Sequence, residues 1–292
     1  MLILHLSDTH LDGTDSPNSY GVNSWQSLRQ LLKDLQDVQN INLVVVSGDI
    51  ADDGSSGAYQ AARQFVGDFA RTRNVPTIYS TGNHDDRHAF TDALSSGHLD
   101  ASGQDRAEHV IASVEGERAA VSFVDGIRVV TLDSLVPGKG YGLISQTQLL
   151  WMREVLAAPA PKGTVLVFHH PPITLDVEVQ RALGLQNPQE LADAIRGTDV
   201  QVILCGHFHM QIFGYLDTTP VWVTPGVINR IDLTAPARTE RAVKGASATL
   251  VKLDAAHSPV FTVLQARDPQ IGETAYELNE SQLRAVIARL GP

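Results

Sequence analysis

The chain has 292 residues, 43% of them hydrophobic, which is enough to fill one large core or two modest ones. Its formal charge of −11 disfavours long-range attraction to a nucleic-acid backbone, so no nucleic-acid polymer is expected as partner. A small anion is not excluded, because a few bound cations reverse the potential inside a cleft. The single cysteine, Cys205, rules out an internal disulfide and ends an apolar run, so it reads as a buried strand residue. The start at Met1 shows no basic n-region or cleavage site, and no apolar run approaches the ~20 residues needed to cross a bilayer. The expectation is a cytoplasmic protein without a membrane span.

Strand-like, β-branched apolar runs occupy 2–6, 43–46, 77–79, 120–124, 127–132, 165–168, 202–204 and 221–223. Between the first two, Trp25, Leu28, Leu31, Leu32, Leu35 and Val38 recur at helical spacing. Tyr59, Ala62, Phe65, Val66 and Phe69 do the same before the third run. Asp125-Gly126 joins 120–124 to 127–132 as a hairpin. Ser145 with Gln148 has the capping-box pattern, and Asn187-Pro188 with Glu190 places a cap, a first-turn proline and an acid in order. Strand-helix alternation with an antiparallel element predicts an α/β protein with a mixed sheet sandwiched by helices. After residue 224 the pattern becomes β-rich, with runs at 248–253 and 260–265 and a short helix from Asn279. No Gly/Ser linker separates it, so residues 1–292 read as one domain with 225–292 as a β-rich extension. The apolar strands and helix of that extension could serve a homodimer or a higher homo-oligomer.

Five clusters of ligand-competent residues each follow an apolar run: Asp8 and His10; Asp49; Asn83, His84 and Asp85; His169 and His170; His207 and His209. Ligands of open α/β sheets bind at the carboxyl ends of strands, so the clusters should converge. Carboxylate, imidazole and amide oxygen without thiolate form a set suited to Mn, Fe, Zn or Co, and not a structural zinc ribbon. Gly48, Gly82 and Gly206 leave room for a sharp turn and for a metal or phosphate close to the backbone. A lone strand-end histidine would say little, but five such clusters together point to a dinuclear centre.

In order and in full, these residues carry D-x-H, G-D, G-N-H-D, H and G-H-x-H, and so resemble the calcineurin-like metallophosphoesterases over about seventy per cent of the chain. Ser7-Asp8-Thr9-His10, Gly82-Asn83-His84-Asp85 and His169-His170-Pro171-Pro172 look like the bacterial class III cyclic-nucleotide phosphodiesterases within that family. The resemblance implies a four-layer α/β/β/α sandwich and two divalent or trivalent metal ions. One ion would be held by Asp8, His10, Asp49 and His209, the other by Asp49, Asn83, His169 and His207, with Asp49 bridging. It implies that Asn83 and His84 contact the substrate and that His84 is catalytic, with Asp85 behind it as orienter. His170 is expected on the other face of the strand end, in a supporting role. Two ions about 3.5–4 Å apart can clamp the attacking and leaving oxygens of an in-line displacement, with a water acidified between them as the nucleophile. A cationic His84 would protonate the leaving alkoxide, help worth typically ~10²–10⁴-fold.

Phosphoprotein phosphatases of the family carry an arginine after the bridging aspartate, where this chain has Asp52-Asp53. A monoanionic diester needs less positive charge than a dianionic monoester, so the expected partner is a small anionic phosphodiester, foremost a 3′,5′-cyclic nucleotide. A glycerophosphodiester, a 2′,3′-cyclic nucleotide and promiscuous phosphatase activity stand as alternatives, as do a metal-binding scaffold and a nuclease. Residues 86–98 and 176–189 are the candidate recognition loops. His88 and His98 read as surface residues that could line a cleft, and Tyr20, Trp25 and Trp222 as core aromatics that could stack a base.

Overall fold

The structure, a computed structural model, describes residues 1–111, 113, 116–254 and 257–292. The apolar runs form strands buried on both faces, because each sheet lies between a layer of helices and the other sheet. In the strand Leu2–Leu6, Leu4 and Leu6 meet the helices Ser24–Asp34 and Ser56–Arg71, while Ile3 points towards the second sheet. The strand Thr164–Val167 has the same period: Leu166 packs on the helical side, Val165 and Val167 between the sheets. Three apolar clusters therefore separate four layers, α/β/β/α, as the resemblance implies.

The first sheet runs His257–Gln265, Ser247–Asp254, Leu2–Leu6, Leu43–Ser47, Thr77–Ser80, His98–Leu99. The second runs Ile212–Leu216, Thr219–Val223, Val200–Cys205, Thr164–Val167, Ile127–Thr131, Ala120–Val124, His109–Val110. Leu2–Leu6, Leu43–Ser47 and Thr77–Ser80 are parallel, as are Thr164–Val167 and Val200–Cys205, so their carboxyl ends emerge together. Far from being appended, Ser247–Asp254 pairs antiparallel with Leu2–Leu6, from Leu2 opposite Lys252 to His5 opposite Thr249. The strands Arg230–Ile231, Glu240–Val243 and Thr274–Leu278 make a third, small sheet.

Both expected caps differ in detail. The Ser145 hydroxyl accepts from the Gln148 backbone N–H at 3.2 Å, but the Gln148 side chain turns inward to Asp133 and Glu117 instead of closing the box. Asn187 does not cap Pro188–Ile195; its amide is spent on both backbone groups of Ile144. In each case a buried backbone group without another partner outcompetes the helix end. His98 lies at neither surface nor cleft: its ring is buried between the Ser122 and Thr131 hydroxyls, at 2.7 and 2.9 Å. Trp222 stacks on Phe261 at 4.6 Å between the two sheets.

Candidate metal centre

The parallel strand ends bring Asp8, His10, Asp49, Asn83, His84, His169, His207 and His209 into one cleft. His169 Nε2 lies 3.1 Å from Asp49 Oδ2 and 3.8 Å from Asp8 Oδ1. His209 Nε2 is 3.3 Å from Asp8 Oδ1 and 3.3 Å from His10 Nε2, which is itself 3.5 Å from Asp49 Oδ2. Potential ligand atoms within 4.8 Å of one another include the sets Asp8/His10/His209, Asp8/Asp49/His169 and His10/Asp49/His84.

The local backbone is held in a costly shape to do this. Asp8, His10, Asp49, His207 and His209 all have positive φ, between 42° and 75°, a region that non-glycine residues rarely occupy. Gly48 shares that requirement at φ 92°. Gly82 does not: it is glycine because a Cβ there would stand 2.3 Å from Asp49 Oδ1 and 2.4 Å from its backbone nitrogen.

Each imidazole is oriented by an acceptor on its far side. Nδ1–H of His169 donates to the Ser47 carbonyl at 2.8 Å, and Nδ1–H of His209 to the Asn229 amide oxygen at 2.7 Å. His10 donates through Nδ1 to Asp52 at 2.9 Å, and His207 through Nε2 to the Leu183 carbonyl at 2.9 Å. Those bonds fix the tautomers and leave the other nitrogen of each ring for a ligand role, the arrangement typical of metal-binding histidines. Asp52, Asn229 and the Leu183 carbonyl belong to no motif, so nothing in the residue pattern marks their roles.

The electrostatics ask for cations. Burial opposes the charge on Asp8, yet His209 and His169 hold its carboxyl down at about 2. Asp49, buried like Asp8, is likewise held well below the usual carboxylate range by His169 and His84. Burial disfavours a proton on His169, but Asp49 and Asp8 outweigh it and lift the imidazole to about 9. Two buried carboxylates thus borrow protons where a cation would serve, while burial pushes His207 down to about 3 and keeps it neutral. Asn83 Oδ1 is buried with no hydrogen-bond partner among the described residues. An oxygen acceptor in that condition, beside carboxylates and ligand-ready imidazoles, fits divalent metal and no protein group nearby.

His84 and Asp85 part company. The His84 ring is exposed and bonds through Nδ1 to the Asp52 carbonyl at 3.0 Å, with the Asp52 carboxylate 3.4 Å away. Burial works against its charge, but Asp49 and Asp52 raise its pKa above the usual imidazole value. The Asp85 carboxylate does not touch that ring. It accepts from the backbone N–H of Ala51 at 2.9 Å and of Gly82 at 2.8 Å, and from the Tyr59 hydroxyl at 3.0 Å. Asp85 therefore ties the Asp49 loop to the Asn83 loop, and Asp52 does the orienting expected of it. His170 does not turn away from the cleft, as its neighbour relation to His169 suggested. Its ring centroid is 4.5 Å from that of His207, with Nδ1 anchored 2.8 Å from the Ser134 hydroxyl.

Of the two candidate recognition segments, 176–189 reaches the site: the helix Glu178–Leu183 puts Val179, Gln180 and Leu183 along the cleft. Residues 86–98 mostly form the helix Arg87–Leu94, capped by Asp86, and contribute no lining residue. Trp25 and Trp222 do not line the cleft either, and Tyr20 reaches only its neighbour Tyr276, 4.9 Å away between ring centroids.

Comparison with known proteins agrees with this geometry. The calcineurin-like phosphoesterase family pattern matches residues 1–211. A probable cyclic nucleotide phosphodiesterase of Rhodococcus erythropolis is 34% identical over 245 residues, 84% of this chain and 76% of the relative. A cAMP/cGMP dual specificity phosphodiesterase of Mycobacterium tuberculosis is 35% identical over 246 residues, 84% of this chain and 73% of its own. Among solved structures, a purple acid phosphatase from yellow lupin has a TM-score of 0.55 at 15% identity, covering all of this chain and 56% of that one. The Plasmodium inner-membrane-complex anchor GAP50 has a TM-score of 0.54 at 10% identity, covering all of this chain and 95% of that one. At such identities the structural likenesses speak for the fold alone. The chain belongs to the calcineurin-like phosphoesterase family.

Proposed function

We propose that this chain is a dinuclear-metal phosphodiesterase that hydrolyses a 3′,5′-cyclic nucleotide. Asp8, His10, Asp49 and His209 would hold one ion and Asp49, Asn83, His169 and His207 the other, with Asp49 common to both sets. When bound, the ions neutralise charge on the phosphoryl group and acidify the attacking water. Mn, Fe, Zn and Co all suit the donor set.

The observation that carries the diester over the monoester is the lining of the cleft. Among the described residues that line it, none is arginine or lysine. A dianionic phosphate would find too little positive charge there beyond the metals. The names of the relatives, cyclic nucleotide phosphodiesterases, support the same choice. A glycerophosphodiester is the weaker reading, since Phe208, Leu278 and Leu283 give the cleft an apolar wall that glycerol would not use.

In this reading the chain's own groups divide the work. Asn83 and His84 contact the phosphoryl oxygens. Nδ1 of His84 is engaged by the Asp52 carbonyl, so Nε2 is the nitrogen left to serve substrate. As the water oxygen bonds to phosphorus it releases a proton to solvent, the ester P–O bond breaks, and Nε2–H of His84 gives its proton to the departing alkoxide. A proton from solvent then restores His84, so the two transfers balance. No side chain needs to form a covalent intermediate.

A substrate panel tests the proposal: 3′,5′-cyclic AMP, 2′,3′-cyclic AMP, glycerophosphocholine and p-nitrophenyl phosphate, each with metal-replete protein. The expected result is the highest kcat/KM for 3′,5′-cyclic AMP. A higher value for the monoester would remove the diester assignment.

A further inference from the structure

The family pattern ends at residue 211, but the cleft does not. Beside the metal ligands the cavity, about 240 Å³ in volume, is lined by residues 240–290. Glu240–Val243 pairs with Thr274–Leu278, which sets Ala242 opposite Tyr276 and Glu240 opposite Leu278. The helix Glu280–Leu290 follows at once, started by a reciprocal capping box between Asn279 and Gln282. Its far end is tied down over the site: the Gly140 N–H donates to the Leu290 carbonyl, and Lys139 Nζ to the Gly291 carbonyl, both at 2.9 Å.

That helix buries none of its own residues, yet Leu283, Val286 and Leu290 form a stripe at positions i, i+3 and i+7 that lines the cavity. A stripe so placed is half-covered by protein and left for whatever enters. The same cavity is lined by Glu240 and Tyr276 from the paired strands, and the Tyr276 hydroxyl donates a hydrogen bond to the Glu240 carboxylate. A carboxylate offers about four acceptor positions, so Tyr276 leaves most of them open. An acid is a poor neighbour for a phosphate, so its partner must be the uncharged part of the substrate. An acceptor that one substrate matches with a donor and another does not separates the two, which makes Glu240 a discriminating element.

We propose that Glu240, backed by Tyr276, selects the organic half of the diester. Its carboxylate accepts a hydrogen bond from an N–H or O–H donor on the base or sugar, while Leu283, Val286 and Leu290 pack on the flat apolar part. The substrate class is therefore a compact ring-bearing diester with a donor. This rests on the phosphodiesterase reading above.

The test compares KM and kcat of wild type, Glu240→Ala and Glu240→Gln on 3′,5′-cyclic AMP and on bis(p-nitrophenyl) phosphate, which has no donor. Wild type is also run on N6,N6-dimethyl and 2′-O-methyl cyclic AMP, which lose one donor each and require no variant to fold. The expected result is a roughly 10-fold rise in KM for cyclic AMP in Glu240→Ala, with kcat nearly held, and a clearly smaller rise for the synthetic diester. One methylated analogue should show the same loss with wild type and no further loss with Glu240→Ala, since the two changes remove one interaction. Equal changes in KM for both diesters, or full affinity for both analogues, would overturn the assignment of Glu240. If metal-loaded wild type hydrolyses neither diester, the phosphodiesterase reading falls with it.

Discussion

His10, His169, His207 and His209 each spend one ring nitrogen on a fixed acceptor, and the acceptors come from three parts of the chain: Ser47 and Asp52 around the Asp49 turn, Leu183, and Asn229. The donors themselves were legible, because D-x-H, G-D and G-H-x-H sit at strand ends where any α/β protein presents its ligands. Their partners were not: Asn229 lies twenty residues past His209 in a segment without pattern, and the Leu183 carbonyl is a backbone atom. Asn229→Leu should weaken metal binding by roughly 10–100-fold, as loss of such partners generally does, with a titration of metal-free protein as the measure. Unchanged affinity would make Asn229 a bystander. Asp49→Ala should lower bound metal and hydrolysis together, and near-wild-type turnover would sink the bridging role. His84→Ala should cut kcat by about 10²–10⁴-fold while sparing metal content, read by elemental analysis beside kinetics.

Long elements declared themselves through apolar period, and short ones did not. The runs 2–6 and 120–124 coincide with strands Leu2–Leu6 and Ala120–Val124. The strands His98–Leu99, His109–Val110 and Arg230–Ile231 span two residues each, too few to show any alternation. Tertiary pairing alone makes them strands. The helix Glu178–Leu183 was legible only as a candidate cap, since six residues cannot carry an amphipathic stripe. At this scale the turn after Thr77–Ser80 is exacting, because Gly82 packs against the Asp49 backbone. Gly82→Ala should therefore lower both the melting temperature and the metal content. A variant that binds metal normally would show that the turn can yield.

The two sheets read from the sequence as one mixed layer, because two-faced burial looks the same in a single buried sheet and in a stacked pair. The resemblance supplied the second sheet, and the cluster of Val45, Val129 and Val202 between the sheets gives its physical basis. The β-rich end of the chain was visible as strands, but not its pairing with Leu2–Leu6, which depends on contacts some 250 residues apart. Among the described residues no helix is long and apolar enough to cross a membrane. The centre concentrates Asp8, Asp49 and four imidazoles where the two sheets meet, so bound cations should stabilise the whole fold. At a metal concentration 100-fold above Kd the gain is about 2.7 kcal/mol, visible as a rise in melting temperature that a chelator reverses. No shift on adding metal would contradict the electrostatic account of the site.

The central claim, a two-metal phosphodiesterase centre, is tested most directly by titrating metal-free protein with Mn²⁺ while following bound equivalents and cyclic AMP hydrolysis in one sample. The account predicts no turnover without metal and activity that saturates as two equivalents bind. Full turnover in the metal-free protein, or saturation at a single equivalent, would contradict it.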